Sequence, residues 1–330
     1  MDTPTAVKAA TYAPTAVPTL TATVIPTIRP TAIPPTATPA QPVLLFEEYK
    51  TGLVSKGLDP LQYEEMGKTV LTKRARWRMQ DLNARLEYFN QALAKFNYKF
   101  IRVAGNWDWN ADLMRGNDIL VKNGRPPWSG VKVSASGSDF AMVMENTPNV
   151  RPFGLLVRKG SLEAWDTSKH AYLNDVAWLG EELLTLDADI GRPDKIPYSV
   201  KLDSKVIYQG DAPPAGVDIL IKALVSYQNH WALEVAEQVI VDGISIGPQL
   251  GFQKVFGLHI IRGQPFYFFQ KDGKIGVSYA GNNLPQTYDE VIHYKCCEPA
   301  LFNPNANDHM VWFWAVKGGD YYYIEAGVYE

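Results

Sequence analysis

The two cysteines of this 330-residue chain are neighbours, Cys296 and Cys297, in the run HYKCCEPALFNPNANDH at residues 293–309. With His293 and His309 the run holds the inventory of a Cys2His2 zinc site. Adjacent side chains of an extended segment point to opposite faces, so one ion could take both sulfurs only in a special turn, and the sequence predicts no metal. The other histidines, His170, His230 and His259, are scattered, with no HExxH and no paired CxxC. In an oxidising compartment two thiols without a third partner are expected to bond to each other. Neighbouring Cα atoms lie about 3.8 Å apart across a trans peptide and about 2.9 Å across a cis one, short of the usual 4.4–6.8 Å. Such a bond would close almost no loop; it would fix a turn and present a rigid sulfur surface beside His293 as part of a ligand-contacting rim. Two reduced, buried thiols acting as small hydrophobes are the alternative.

The stretch GISIG, Gly243 to Gly247, matches the G-x-S-x-G nucleophile elbow, which needs a strand before Ser245 and a helix after it. The strand QVIVD is present, but Pro248 follows at once and GFQKVFGLHI looks extended, so no helix and no serine nucleophile are expected. Neither a Walker sequence nor a dinucleotide fingerprint occurs, which disfavours nucleotide chemistry, and no cofactor is expected. Glycoside hydrolysis would need two carboxylates in opposition. Asp108, Asp139 and Glu325 are the acids nearest aromatic clusters, and no catalytic residue is assigned among them.

Those aromatic clusters are the most suggestive binding feature. NWDWN puts Trp107 and Trp109 on one face of an extended segment, with Asp108 on the other. Near the C-terminus a two-residue Gly318-Gly319 loop would pair Val316 with Tyr321 and Trp314 with Tyr323. One face then carries Trp312, Trp314, Tyr321 and Tyr323, and the other Phe313, Ala315, Tyr322 and Ile324. Both faces are apolar enough to be core, the favoured reading. The sharper one is an exposed platform for a sugar ring or peptide, with Glu325 as polar handle and Trp107, Trp109 and His293 as further ligand contacts.

The elements that would position these residues are mostly strands. Leu82, Leu86, Phe89, Leu93 and Phe96 recur at four, three, four and three, one face of an amphipathic helix within Tyr63 to Phe96, with Asn97 suited to a left-handed C-cap. After it KFIRVAG, DILVKNG, VKVSAS, DFAMVME and FGLLVRKGSLEAW read as strands or hairpins, and Val176 to Leu186 as helix or strand. Turn pairs at Lys159-Gly160, Asp242-Gly243, Asp272-Gly273 and Gly318-Gly319 predict tight hairpins. The expected fold is mainly β (α+β): antiparallel hairpins and meanders in a sandwich or propeller-like sheet array, with one N-terminal amphipathic helix. IGRPDKIP, before Tyr198, is read as a seam between a helix-plus-β subdomain at 43–198 and a β-hairpin subdomain at 199–330.

Within the second part, KDGKIGVSYAGNNLPQTYDEVIHY, residues 271–294, resembles a WG-type β-repeat: a GKxG strand, a Tyr/Gly turn, a proline, then YDEV. Ile275 stands where that family has tryptophan, and VDGISIGPQLGFQKVF is a degenerate neighbour. The resemblance implies repeated hairpins used for binding or scaffolding, and no catalytic residue.

From Thr3 to Pro42 the chain is rich in threonine and proline, nearly uncharged and without glycine, with prolines at four-residue steps such as Pro26, Pro30 and Pro34. Each ring fixes φ and removes a donor, so the stretch reads as a disordered, semi-rigid stalk of about 3.1 Å per residue. It resembles the Thr/Pro-rich tethers of bacterial lipoproteins and cell-wall proteins. An extracellular location follows as an expectation, tethered to the bacterial surface or secreted, with membrane contact only through a removed N-terminal signal or anchor. A net charge of -3 offers no field for nucleic acid, and the basic run Lys73 to Arg78 reads as a solvated helix face. The expected function is cell-surface binding or structural display, with a glycan, a peptide or a surface protein as partner. An extracellular hydrolase of polysaccharide or peptide is the rival reading, and a subunit of a surface assembly the third.

Overall fold

A computed structural model describes residues 43–54, 82–103, 110–127, 130–146, 154–165, 172–189, 194–213, 221–293 and 303–328. The stalk, the basic run, Trp107, Trp109, Cys296 and Cys297 lie outside the described residues. After strand β1 (Leu45–Val54) comes helix α1 (Leu82–Leu93), and then strands gathered sheet by sheet in chain order. The first sheet holds β2 (Tyr98–Arg102), β3 (Ala111–Arg115) and β4 (Asp118–Gly124), and the second β5 (Lys132–Val133), β6 (Phe140–Glu145), β7 (Gly154–Arg158) and β8 (Ser161–Ala164). The third holds β9 (Tyr172–Leu179), β10 (Glu182–Asp189), β11 (Ile196–Leu202) and β12 (Lys205–Ala212). The fourth comprises β13 (Ile221–Tyr227), β14 (His230–Val235), β15 (Gln238–Val241) and β16 (Ile244–Ser245), followed by a one-turn helix α2 (Ile246–Leu250). The fifth is β17 (Lys254–Ile261), β18 (Gln264–Lys271), β19 (Lys274–Tyr279) and β20 (Asn282–Tyr288). The sixth is β21 (Glu290–Val291), β22 (Asn305–Ala306), β23 (Met310–Lys317) and β24 (Asp320–Gly327), with β1 added at its outer edge.

Every described pairing is antiparallel, and each sheet shares a core with the next. Leu86, Phe89 and Leu93 of α1 bury against Phe100 and Leu113 of the first sheet and Phe140 and Met142 of the second. Ala141 and Leu156 meet Val176 and Trp178 between second and third; Leu184 and Val200 meet Leu224 and Leu233 between third and fourth. Ala232 and Val239 meet Val255 and Tyr267, and Phe256 and Phe268 meet Phe313 and Ile324, across the last two junctions. An inner sheet thus covers its two faces with two different neighbours, which requires apolar residues on both. This is a propeller-like array rather than a two-sheet sandwich. The last gap is bridged where the Tyr88 hydroxyl on α1 donates to Asp308 of the sixth sheet's loop at 3.1 Å.

Local chemistry explains the punctuation. Asn97 caps the 3-10 turn after α1 in the left-handed region, at φ 64. The Asn90 side chain gives Phe100 what a neighbouring strand would, accepting from its N–H at 2.6 Å and donating to its carbonyl at 3.0 Å, so an amide finishes the edge of β2. Turns at Asp242-Gly243, Asp272-Gly273 and Gly318-Gly319 take positive φ at both positions, whereas at Lys159-Gly160 only Gly160 does. Val176 to Leu186 forms a hairpin, β9 to β10.

Two buried carboxylates fasten consecutive sheets at bulges. Asp175 on β9 accepts from the Leu224 N–H at 3.2 Å, just past the positive-φ residue Ala223 of β13. Glu234 on β14 accepts from the Leu258 N–H at 2.7 Å, just past Gly257 of β17, at φ 66. A bulge leaves a backbone donor without its ladder partner, and here the neighbouring sheet supplies the acceptor. Tyr198, which follows the expected seam, lies in β11, hydrogen-bonded to β10 on one side and β12 on the other.

Candidate functional site

The sixth sheet gathers five of the eight residues put forward as ligand contacts, Trp312, Trp314, Tyr321, Tyr323 and Glu325. Its β23–β24 register pairs Trp314 with Tyr323 and Val316 with Tyr321, as a two-glycine loop requires, and Trp312 stands opposite Glu325. β1 extends the same face by setting Glu47 beside Glu325 and Tyr49 beside Tyr323. The rings of Trp314 and Tyr323 lie 5.0 Å apart, and the Tyr323 hydroxyl donates to Glu325 Oε1 at 2.8 Å.

This face is not an exposed platform. Trp312, Trp314, Tyr321, Tyr323 and Glu325 are 0–7% exposed, and the opposite face, through Phe313 and Ile324, packs on the fifth sheet. Large rings bring the most apolar area to a core, and burial of each contributes about 2–3 kcal/mol. Their neighbours β1, Glu47 and Tyr49 escaped sequence reasoning because pairing of the first strand with the last leaves no local spacing signal. The opposite face of β1 is stapled by polar groups: Glu48 accepts from the Tyr288 hydroxyl at 3.0 Å and from Lys317 at 2.7 Å, and Lys50 pairs with Asp320 at 2.5 Å. Burial and the Glu48 charge push the Tyr288 hydroxyl well above its usual range, so it stays a donor.

His293 lies elsewhere, at the junction of the last three sheets, with its side chain part-buried at 14% exposed. Its ring stacks on Phe256 of β17, with centroids 3.6 Å apart and planes at 5°. Nδ1 faces the Val291 carbonyl at 2.6 Å and Nε2 faces Glu237 Oε1 at 2.8 Å. The other Glu237 oxygen takes Lys254 at 2.6 Å. Burial would raise the Glu237 carboxyl, but the hydrogen bonds from His293 and Lys254, with their charges, outweigh it and hold it at about 2. Glu237 and Ala236 form the β14–β15 turn at φ 61 and 47, where a residue other than glycine costs about 1–2 kcal/mol. Glu237, Lys254 and Phe256 come from sequence positions far from His293, which is why no motif announced them.

The remaining candidates have structural duties. Asp139 pairs with Arg158 at 3.1 Å and accepts from the Phe140 N–H at 2.7 Å, holding the turn at the start of β6. A helix does follow Ser245, contrary to the expectation from Pro248: α2 is a single turn, and proline at its third residue is tolerated because first-turn N–H groups have no partner within the helix. The Ser245 Oγ donates to Gln238 Oε1 at 3.0 Å rather than to a histidine, and its backbone is relaxed at φ -69. Among the described residues no group of three histidine, cysteine, aspartate or glutamate side chains is placed to hold a metal ion. An open groove of about 580 Å³ lies between α1 and β2, with Asn90, Gln91, Ile101 and Arg102 in its walls.

No family model matches the chain, and no curated protein matches it. One solved structure, from a structural and mechanistic analysis of two prolyl endopeptidases, aligns at 10% identity with a TM-score of 0.30, covering 78% of this chain and 56% of its own. The chain therefore spans little more than half the length of that neighbour.

Proposed function

We propose that this chain is an extracellular binding or display protein, a β-rich body held away from a bacterial surface by its Thr/Pro-rich N-terminal run. The observation that carries this reading is the junction of run and body. Pro42 is followed within three residues by β1, which is the outer strand of the last sheet. A pull along the run therefore loads β1 along its length against the ladder to β24 from Leu45↔Gly327 to Lys50↔Tyr322, where hydrogen bonds resist together. A surface tether needs that attachment.

Recognition falls to parts other than the β23–β24 hairpin, because its rings are consumed by the core. Trp107 and Trp109 are the remaining aromatic pair, and a glycan or peptide suits them through stacking on flat apolar rings. The WG-like run at 271–294 is in keeping with a binding or scaffolding part. Protease treatment of intact cells, followed by detection of the folded part, tests the location: resistance to external protease in intact but not lysed cells would sink the surface reading. A glycan and peptide array probed with the wild-type protein and a Trp107→Ala/Trp109→Ala variant tests the site, and equal binding by both would remove those tryptophans from it.

A further inference from the structure

Glu47 and Glu325 stand opposite each other on neighbouring strands, the first on β1 and the second on β24. Side chains in that relation have Cβ atoms about 4.5–5.5 Å apart, close enough for like charges to repel. Each carboxylate accepts one phenolic hydrogen bond, Glu47 from the Tyr49 hydroxyl at 2.7 Å and Glu325 from the Tyr323 hydroxyl at 2.8 Å. A phenol supplies a hydrogen but no charge, and Glu325 is fully buried, where a carboxylate needs a cation beside it. The rings of Trp312, Trp314, Tyr321 and Tyr323 surround the pair on the same face. Two carboxylates flanked by flat rings suit a guanidinium, whose planar fork meets carboxylate oxygens two at a time and whose face stacks on an aromatic ring.

The two faces of this sheet are covered differently. Phe313 and Ile324 pack on the fifth sheet, whereas among the described residues none of the cores shared by consecutive sheets includes Trp312, Trp314, Tyr321 or Tyr323. These four are buried all the same, and Glu47, Tyr49, Trp314, Tyr321, Tyr323 and Glu325 each make a further hydrogen-bond, ring or electrostatic contact. Their cover has to bring apolar area and positive charge together. One run of the chain puts four cations among six residues, Lys73 to Arg78, and Trp77 stands within it. Its place in the chain leads to this sheet from both sides. It follows β1, the outer strand of the sixth sheet, and precedes α1, whose Tyr88 hydroxyl donates to Asp308 in a loop of that sheet at 3.1 Å.

We propose that the run Lys73 to Arg78 docks on the aromatic face of the sixth sheet, its arginines meeting Glu47 and Glu325 and stacking on the rings beside them. The run is then a plug in the fold, in place of the solvated face expected from its charge. The ring of sheets is closed twice by one stretch of chain, once through the ladder of β1 to β24 and once through charge and ring contacts from the run that follows it. Glu47 belongs to both devices, being a residue of the closing strand and one of the two carboxylates that the cations meet.

Photocrosslinking tests where the run sits. A benzophenone side chain in place of Trp77 in the full chain, irradiated and mapped by mass spectrometry, should bond to β1, β23 or β24. A mixture of isotopically labelled and unlabelled chains tells whether the bond lies within one copy. Bonds only between copies, or no bond to the sixth sheet, overturn the proposal. Melting temperature is the second readout. Glu47→Gln and the triple variant Arg74→Gln/Arg76→Gln/Arg78→Gln should each lower it, and the two combined should lower it by clearly less than their separate losses added, since the partners of one interaction couple. Glu47 is half-buried, so its amide variant is the milder of the two carboxylate changes, and the crosslink decides the matter even if the triple variant fails to fold. Strictly additive losses overturn the proposal as well.

Discussion

Tyr49 on the first strand stacks on Tyr323 of the last, with ring centroids 6.0 Å apart and planes at 27°. The contact is the side-chain counterpart of the β1–β24 ladder, and it makes the chain's beginning a part of its end. Shortening the protein to Pro42 should leave the melting temperature within a few degrees, since Thr3 to Pro42 lacks the apolar content to offset ordering. Removing residues 1–54 strips the sixth sheet of its outer strand and leaves the Tyr323 ring and the Glu48 partners Tyr288 and Lys317 without cover. Differential scanning calorimetry of the two truncations should therefore separate them widely; equal curves would mean that β1 is not needed for closure.

Trp314 is the next test of the same sheet. It is 6% exposed, its backbone N–H donates to Asn303 Oδ1 at 2.9 Å, and its ring, the part an alanine would remove, packs at 5.0 Å from Tyr323. Trp314→Ala should cost about 3–5 kcal/mol, as large core truncations do. Urea unfolding gives the number, and an unchanged midpoint with lost ligand binding would return this tryptophan to a binding role.

How much of this was legible is clear from particular residues. The helix face Leu86, Phe89, Leu93 and the αL residue Asn97 were readable because helical periodicity and capping are local. So were β4 at DILVKNG and the turns at Asp272-Gly273 and Gly318-Gly319, because a strand and its turn lie within a few residues of each other. The closure by β1, the Glu234–Leu258 fastening and the Glu237–Lys254–His293 cluster join positions far apart in sequence, and no spacing rule reaches them. The sense of the β23–β24 faces was ambiguous for another reason. Trp and Tyr serve a core and a recognition surface equally well, and only burial separates the two.

The carboxylate fastenings between sheets predict an asymmetry between two substitutions at one site. Glu234→Leu removes the acceptor for the buried Leu258 N–H and should cost about 1–3 kcal/mol, the penalty of an unsatisfied buried donor. Glu234→Gln keeps an oxygen in nearly the same place and should cost less. Chemical denaturation of both variants checks the order, and an equal loss in the two would mean that the charge, not the acceptor, matters at this bulge.

Gly276 tests packing without polar chemistry. A Cβ built there would lie 2.4 Å from the Phe269 ring, which is itself stacked on Phe252 with centroids 4.1 Å apart. The ring covers the glycine and cannot withdraw without breaking its own stack. Gly276→Ala should cost about 1–3 kcal/mol through overpacking, with β18 and β19 losing amide-exchange protection first. A variant as stable as the wild type would show that Phe269 has room to move.

Asp289 offers a pH-dependent case at the surface. The hydrogen bond from Lys274 on β19 is the main influence lowering its carboxyl, aided by the Gly318 N–H, which donates to Oδ2 at 2.7 Å at the β23–β24 turn. The residue thus couples the fifth and sixth sheets. Because the carboxyl sits below its ordinary 3.8 in the folded state, its contribution is complete above that pH and is lost as pH falls through the depressed value. Asp289→Asn should accordingly lower the melting temperature at neutral pH and approach the wild type in strong acid. Glu237 titrates in the same acid range in both proteins and cancels from the comparison. Thermal melts of the pair at neutral pH and at about pH 2, below the ordinary carboxylate range, measure the gap, and a gap that widens on acidification would show that Asp289 is not held as a carboxylate by Lys274 and the glycine turn.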